Sequence, residues 1–342
     1  MSATTPARPA ASSATATPAT SATSATAAVA ADRPSRRPAL DWRIRWTVLA
    51  LIWGFSFLLI KVGTEAFAPL QVTLGRMGFG TAVLVATVAV KRERIPRGAR
   101  TWGHLAVAAF LLNALPMSLF SYSELTIPST LAGICNATTP LWSMVLSVVA
   151  FSEDRPTRQR VIGVGVGFLG VLTVLGAWQG FSGQDPAGTA MALAAGASYA
   201  VGWIYVRRTL SDSGNSALSM SALQLLLATA QLAIVTPLFT SAPASFPVVP
   251  LLAVVALGAI GTGFAFLLQY RLVAEKGPTI ATMVTYLIPV IATAAGVTIL
   301  GEHLSWNEPV GALVVLAGAA LTQRRPQDPP QERSQPKRPA PR

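Results

Sequence analysis

Residues 130–153 read TLAGICNATTPLWSMVLSVVAFSE, and residues 279–302 read TIATMVTYLIPVIATAAGVTILGE. Identical positions, each pair 149 residues apart, include Thr130 and Thr279, Ala132 and Ala281, Pro140 and Pro289, and Glu153 and Glu302. A match at constant spacing indicates that the chain contains two copies of one structural unit.

The match extends outward from these segments along both halves of the chain. At an offset of 148, Gly163 and Gly170 correspond to Gly311 and Gly318, and Arg76 falls opposite Gln224. At an offset of 146, Trp53 corresponds to Tyr199, Gly54 to Ala200, and Lys61 to Arg207. The repeat therefore covers most of the chain.

Composition identifies lipid as the main solvent of both copies. Hydrophobic residues make up 52% of the 342 residues and charged residues 12%, about half the charged fraction of a typical soluble domain. A membrane-spanning helix needs about 20 apolar residues. Ten spans are predicted, at 45–64, 72–90, 103–122, 128–151, 161–178, 187–206, 217–240, 250–270, 278–300 and 307–323. The tenth is the shortest of the ten.

The distribution of basic residues sets the expected orientation. With a cytoplasmic N-terminus, 24 of the 26 Lys and Arg residues fall in cytoplasmic segments, as the positive-inside rule requires. The exceptions are Lys61 and Arg76. Because the net charge of +12 is scattered over every inner loop, it does not indicate a nucleic-acid partner. The N-terminal tail, residues 1–40, is rich in Ala, Thr, Ser and Pro, and the C-terminal tail, residues 324–342, is Pro-rich and basic; both are predicted to be disordered.

The fold class predicted is an all-α integral membrane protein with ten transmembrane helices in two five-helix repeats, residues 45–178 and 187–323. Because five is odd, the second repeat enters the membrane from the opposite side, so the repeats are inverted. Inverted repeats are typical of secondary transporters, whose substrate site lies near the bilayer midplane between the repeats.

The sequence resembles the EamA-type members of the drug/metabolite transporter superfamily. The motifs that carry the resemblance are Trp53-Gly54-Phe55-Ser56 with Lys61, Pro69 and Arg76, Pro140 with Glu153, Gly163 and Gly170, and Pro289 with Glu302, Gly311 and Gly318. The resemblance implies a five-plus-five helix fold and the efflux or exchange of small metabolites, often amino acids.

Arg76 is the first candidate for a substrate contact, because a charge at bilayer depth is costly and marks function by default. The span interiors contain no Asp or Glu, so the sequence offers Arg76 no carboxylate partner. An anionic group of the substrate would satisfy the guanidinium. The alternative is that Arg76 lies near the outer end of its helix and extends to water.

Two prolines at matching positions predict helix breaks. Pro140 and Pro289 leave the carbonyls of Asn136 and Thr285 without their helical partners, and such breaks indicate a transporter site. Further polar and aromatic candidates for the substrate cavity are Trp53, Ser56, Asn113, Asn136, Trp142, Tyr199, Trp203 and Tyr286. Helix packing and interhelical hydrogen bonds are the alternative explanation for these residues.

Charged residues at span ends are candidates for gates or helix boundaries. Glu153 and Glu302 end equivalent helices on opposite membrane faces, and Lys61 lies at the outer end of the first helix. A carboxylate at a helix C-terminus opposes the helix dipole, so each glutamate should have a partner such as a basic loop residue.

Together these features predict a plasma-membrane exporter of amino acids or related compounds that works by alternating access. A multidrug efflux carrier is the alternative within transporters, and a membrane-embedded enzyme or a non-transporting scaffold the alternative outside them. No enzymatic activity, cofactor or metal site is predicted, because the single Cys and two His form no cluster. The partners expected are a small-molecule substrate and the lipid bilayer, and the sequence leaves a homodimer open.

Overall fold

The protein is described here by a computed structural model over residues 41–150, 157–179, 185–210 and 214–323, and all regular structure in these ranges is helical. The α-helices are α1 Trp42–Thr64, α2 Pro69–Lys91, α3 Ala99–Ala109, α4 Leu115–Ser123, α5 Ser129–Asn136, α6 Thr139–Ala150, α7 Arg158–Val174, α8 Pro186–Thr209, α9 Ala217–Phe239, α10 Val248–Gly258, α11 Ala265–Thr282, α12 Ile288–Ile299 and α13 Asn307–Gln323. A kink at Gly277, where φ is +82°, divides α11 into two helical segments. Short 3-10 turns occupy Ala177–Gln179 and Met283–Tyr286.

Seven helices in the described ranges are long and apolar enough to cross a membrane. They are Trp42–Thr64, Pro69–Lys91, Ala99–Ser123, Pro186–Thr209, Ala217–Phe239, Val248–Gly277 and Ile280–Ile299. The other three predicted spans correspond to α5 with α6, which are separated by a break, and to α7 and α13, which have 17 residues each. The structure is therefore that of a multi-pass helical membrane protein.

Local sequence signals place the helix ends. The Asp41 side chain accepts a hydrogen bond from the Arg43 amide (3.0 Å) at the start of α1, and Asp185 accepts one from the Gly188 amide (2.6 Å) at the start of α8. Such N-caps satisfy amides that have no partner within the helix. After α12, Gly301 adopts a φ of +66°, which turns the chain and places Glu302 beside the bundle.

Two long helices contain π-helical turns. Phe110–Ala114 joins α3 to α4, and Ala259–Phe264 joins α10 to α11. The two turns begin 149 residues apart, and Asn113 and Thr262 occupy corresponding positions within them. A π-turn distorts the hydrogen-bond ladder and is frequent at functional sites.

Two pairs of helices that hold the same position in the two halves of the sequence, α2 with α9 and α7 with α13, pack against each other. The hydroxyl oxygens of Thr81 in α2 and Thr229 in α9 lie 2.9 Å apart, and these residues are separated by 148 positions. A methyl group at Gly318 in α13 would lie 2.4 Å from the Gly167 backbone nitrogen in α7. The two helices can approach this closely because glycines line their contact.

The largest buried cluster lies among α1, α4, α5, α8 and α12. Phe57 and Phe120 meet edge to face there, with ring centroids 5.4 Å apart, and Trp53 and Tyr199 pack against the same cluster. Aromatic pairs in this geometry stabilise helix packing beyond the area that they bury.

Candidate functional site

Arg76 lies inside the helix bundle, with 6% of its surface exposed. Its Nε donates a hydrogen bond of 2.9 Å to the hydroxyl of Thr262, and that hydroxyl donates in turn to the Leu257 carbonyl (3.2 Å). The partner of the guanidinium is thus a side chain on a π-turn of the other half of the sequence. The sequence left open the alternative that Arg76 extends to water. The burial of its side chain does not agree with that alternative.

Glu124 is the residue that the sequence did not single out. It follows the span Ala99–Ser123 directly and is completely buried. Lys61, Glu302 and Arg76 lie within electrostatic reach of its carboxyl group. Arg76 therefore has a carboxyl group within electrostatic reach, although Glu124 lies outside the predicted span interiors. The signal was present in the sequence as a glutamate between an apolar span and a four-residue turn, but it falls outside the predicted span.

Lys61 holds the turn that follows Glu124. Its ammonium donates hydrogen bonds to the backbone carbonyls of Glu124 and of Ile127, the second at 3.3 Å. On the other side of the turn, the Thr126 hydroxyl donates to Asp185 (2.7 Å). The turn at 124–128 is therefore fixed by one cation from α1 and one anion from the start of α8.

Glu302 binds the N-terminus of α5. Its two carboxylate oxygens accept hydrogen bonds from the backbone amides of Ser129 (2.7 Å) and Thr130 (3.1 Å). The sequence predicted a basic loop residue as partner, but the positive end of a helix dipole fills that role. The absence of a side chain at Gly296 makes room for the carboxylate, since a Cβ there would lie 2.3 Å from Glu302 Oε2.

The opposite end of the bundle also has a charged contact. Arg45, which is buried near the start of α1, forms a salt bridge with Glu275 in α11. Glu153, the sequence equivalent of Glu302, lies outside the described residues. The two ends are named here the Glu124 end (Lys61, Glu124, Ser129 and Glu302) and the Arg45 end (Arg45 and Glu275).

The helix breaks lie beside the two prolines. The helix stops at Asn136 and resumes at Thr139, next to Pro140, and the Asn136 carbonyl accepts a hydrogen bond from the Thr139 hydroxyl (2.8 Å). In the second half, a 3-10 turn at Met283–Tyr286 precedes Pro289. The carbonyl at Asn136 is therefore satisfied locally, by the side chain that follows the break.

Most of the other candidates face the bundle interior. Ser56 and Asn113 are buried, and Trp53, Asn136 and Tyr199 are half-buried. The Trp142 Nε1 and the Tyr286 hydroxyl are buried without hydrogen-bond partners in the described part of the chain, so each could bind a polar ligand. Trp203 does not join this group, because 56% of its surface is exposed on the outside of α8.

These features define a class: a multi-pass helical membrane protein whose charged side chains are buried between helices. The sequence model of the EamA-like transporter family matches the chain twice, over residues 44–176 and 186–324. The chain belongs to the EamA-like transporter family. It is a membrane transporter, and the names of its family and relatives indicate transporters rather than enzymes.

Individual relatives are distant but match along most of their length. The chain is 26% identical to the uncharacterized inner membrane transporter YedA of Escherichia coli, with 80% of this chain and 87% of YedA covered. It is 24% identical to a probable amino-acid metabolite efflux pump of Salmonella typhimurium, with coverage of 79% and 91%. A solved crystal structure shares the fold with a TM-score of 0.56 and 22% identity, over 82% of this chain and 96% of that one.

Proposed function

We propose that this protein is a secondary transporter that exports amino acids or related carboxylate-bearing metabolites by alternating access. Ten membrane crossings would form two inverted five-helix repeats, with both termini in the cytoplasm. The observation that carries the proposal is the contact between Thr81 and Thr229. Equivalent residues of two repeats touch each other when they lie on the symmetry axis that relates the repeats.

The glycine contacts support the same axis. Gly163 packs on Gly318, and Gly170 packs on Gly311, so exchanging the two repeats exchanges one contact for the other. An axis that passes between α2 and α9 and also between α7 and α13 lies in the membrane plane when the paired helices run in opposite directions. Rocking of one repeat against the other about such an axis is the motion typical of inverted-repeat transporters.

The two charged ends would then act as gates. In the proposed orientation the Glu124 end is extracellular and the Arg45 end is cytoplasmic. Each gate joins the two repeats: at the outer end Glu302 binds the N-terminus of α5, and at the inner end Arg45 binds Glu275. Glu302→Gln should increase exposure of the outer end to a membrane-impermeant reagent, and Glu275→Gln exposure of the inner end. Equal effects of both variants on the two ends would argue against gating.

The substrate class rests on Arg76 and on the name of one relative. A buried guanidinium is suited to bind a carboxylate, because its planar donors match the two oxygens. The printed name of the Salmonella relative indicates amino-acid metabolites as the cargo of that protein. The Thr262 hydroxyl occupies one donor of Arg76, and the remaining donors could bind substrate.

Counterflow in proteoliposomes tests the proposal. Vesicles with purified protein are loaded with amino acids, purines or cationic drugs, and uptake of the same labelled solute is measured. Saturable exchange of carboxylate-bearing solutes that Arg76→Ala abolishes and the exposed Arg43→Ala retains is the expected result. Exchange of cationic drugs that Arg76→Ala leaves unchanged would instead identify a multidrug carrier. Arg76→Lys, which keeps the charge, separates loss of binding from loss of folding.

A further inference from the structure

Glu124 is a buried carboxyl group without hydrogen bonds. None of its surface is exposed, and neither of its carboxylate oxygens has a hydrogen-bond partner in the described part of the chain. A buried carboxylate ion without hydrogen bonds is strongly disfavoured, whereas the neutral acid is tolerated. The geometry thus favours the form of Glu124 that carries a proton.

Charged groups reach Glu124 from several elements. Lys61 of α1 and Arg76 of α2 favour the ionised form, while Glu302, beyond α12, opposes it. Tyr199 of α8 lies within electrostatic reach of Arg76, and Asp185 at the start of α8 binds Thr126 on the adjoining turn. Burial raises the pKa of the Glu124 carboxyl well above its ordinary value, and Lys61 opposes that shift.

The position of Lys61 links this proton to the turn at 124–128. In the structure its ammonium binds the carbonyls of Glu124 and Ile127 rather than the carboxyl group of Glu124. An ionised Glu124 would compete for the ammonium, because a charged acceptor binds it more strongly than a carbonyl does. The two carbonyls of the turn would then lose the cation that binds them.

The same turn leads directly into the outer gate. Ser129 and Thr130, whose amides bind Glu302, follow Pro128 at the end of the turn. Their hydroxyl groups are also buried without partners in the described ranges, so water entering here would find polar groups to bind. Release of the turn would therefore weaken the contact between α5 and Glu302.

We propose that Glu124 is a proton-binding residue of this transporter and that release of its proton to the external water opens the outer gate. The neutral acid keeps Lys61 on the two carbonyls and the gate closed, and the carboxylate recruits Lys61 and frees the turn. The assignment of this gate to the outer face rests on the proposed function. One proton bound at Glu124 would couple the gate to external pH.

Cysteine labelling measures the gate without any substrate. In a Cys135→Ala background, Ser129→Cys reports on the buried start of α5, and Leu125→Cys, at an exposed site on the same turn, is the matched control. A membrane-impermeant maleimide is applied to right-side-out vesicles from about pH 6 to about pH 8. Dividing the two rates corrects for the rise in thiolate fraction with pH that the two cysteines share, and Glu124→Gln corrects for the rest.

The expected result is a ratio of labelling rates that rises with pH, by about tenfold per unit while Glu124 is mostly protonated. With Glu124→Gln the ratio should stay low at every pH, and Glu124→Asp should restore a rise. A ratio that does not change with pH, or that rises equally in Glu124→Gln, would overturn the proposal. Monodispersity on size exclusion identifies any variant that has not folded, and Glu124→Asp then carries the comparison.

Failure of this proposal is distinguishable from failure of the proposed function. A pH-dependent ratio without any saturable counterflow would retain the proton-binding gate and contradict the transport of carboxylate-bearing solutes. Saturable counterflow together with a labelling ratio that does not change with pH would support the proposed transport function and contradict the role of Glu124 in the gate.

Discussion

Thr81 in α2 and Thr229 in α9 share a hydrogen bond of 2.9 Å, although 148 residues separate them. The same offset relates Gly163 to Gly311 and Gly170 to Gly318. Thr229 also donates to the Leu225 carbonyl (2.8 Å), so Thr81 is the donor between the two threonines. At Thr81 and Thr229, two residues that correspond to each other in the two halves of the sequence are therefore in direct contact.

A double-mutant cycle measures the Thr81–Thr229 contact. Thr81→Val removes the donor and Thr229→Val the acceptor, without a change in side-chain shape. Hydrogen bonds between membrane helices contribute about 0.6 kcal/mol on average and at most about 1.7 kcal/mol. We expect each single variant to lower the midpoint of thermal unfolding in detergent by a few degrees, and the double variant to add little more. Fully additive losses would show that the two hydroxyls do not interact.

The glycine contact between α7 and α13 predicts a sharp difference between two substitutions. Gly318→Ala places a methyl group 2.4 Å from the Gly167 backbone nitrogen, so the helices must separate. Gly165→Ala, on α7, meets no atom within 4 Å and gains about 1 kcal/mol of helix propensity. We expect Gly318→Ala to destabilise the purified protein and Gly165→Ala to leave it equally or more stable. Equal thermal midpoints for the two variants would contradict the packing.

Thr262 should act as a positioning residue for Arg76. Thr262→Val keeps the shape of the side chain and removes the acceptor of the Arg76 Nε–H, a hydrogen bond to a charged group that is worth about 1.5 kcal/mol or more. We expect an increase in KM of roughly tenfold for a carboxylate-bearing substrate, with a smaller change in the maximal rate. Thr262→Ser should restore the KM. Unchanged KM values would separate Arg76 from substrate binding.

The N-cap of α8 at Asp185 should make the stability of the folded protein decrease at low pH. The Gly188 amide and the Thr126 hydroxyl lower the pKa of Asp185 below its ordinary value. A depressed pKa adds stability above the ordinary value of about 3.9 and loses it as the pH falls through the folded value. The thermal midpoint should therefore fall less steeply in acid for Asp185→Asn than for the parent protein. Parallel pH curves would show that the cap contributes nothing.

The sequence predicted the helical fold because composition, span length and basic loops all reflect one solvent, the bilayer. A repeat could be predicted from Pro140 and Pro289, because a proline restricts the backbone of its helix in the same way at each position. The family assignment follows from the same motifs and is confirmed by the double match of the family model. Seven membrane-length helices in the described ranges agree with a multi-pass protein.

The Glu124 end was harder to predict, because it depends on contacts between segments that are distant in the sequence. Glu124 follows a span in the sequence, yet in the structure its backbone carbonyl binds Lys61 and its carboxyl group lies within electrostatic reach of Glu302. The partner of Glu302 is a pair of backbone amides, which no side-chain pattern reveals. The sequence placed Trp203 in the cavity, whereas its side chain is exposed on α8. A single aromatic residue in an apolar span does not indicate which face of the helix it occupies.

The direction of the two repeats in the membrane is the central claim, and a pair of equivalent residues tests it directly. Leu125 follows α4 and Ala274 lies in α11 just before its kink at Gly277, 149 residues after Leu125, and both are exposed. In a Cys135→Ala background, each is replaced by cysteine and labelled with a membrane-impermeant maleimide on intact cells. Inverted repeats predict labelling of Leu125→Cys from outside and of Ala274→Cys only after permeabilisation. Labelling of both from the same side would contradict the inverted architecture and the transport mechanism built on it.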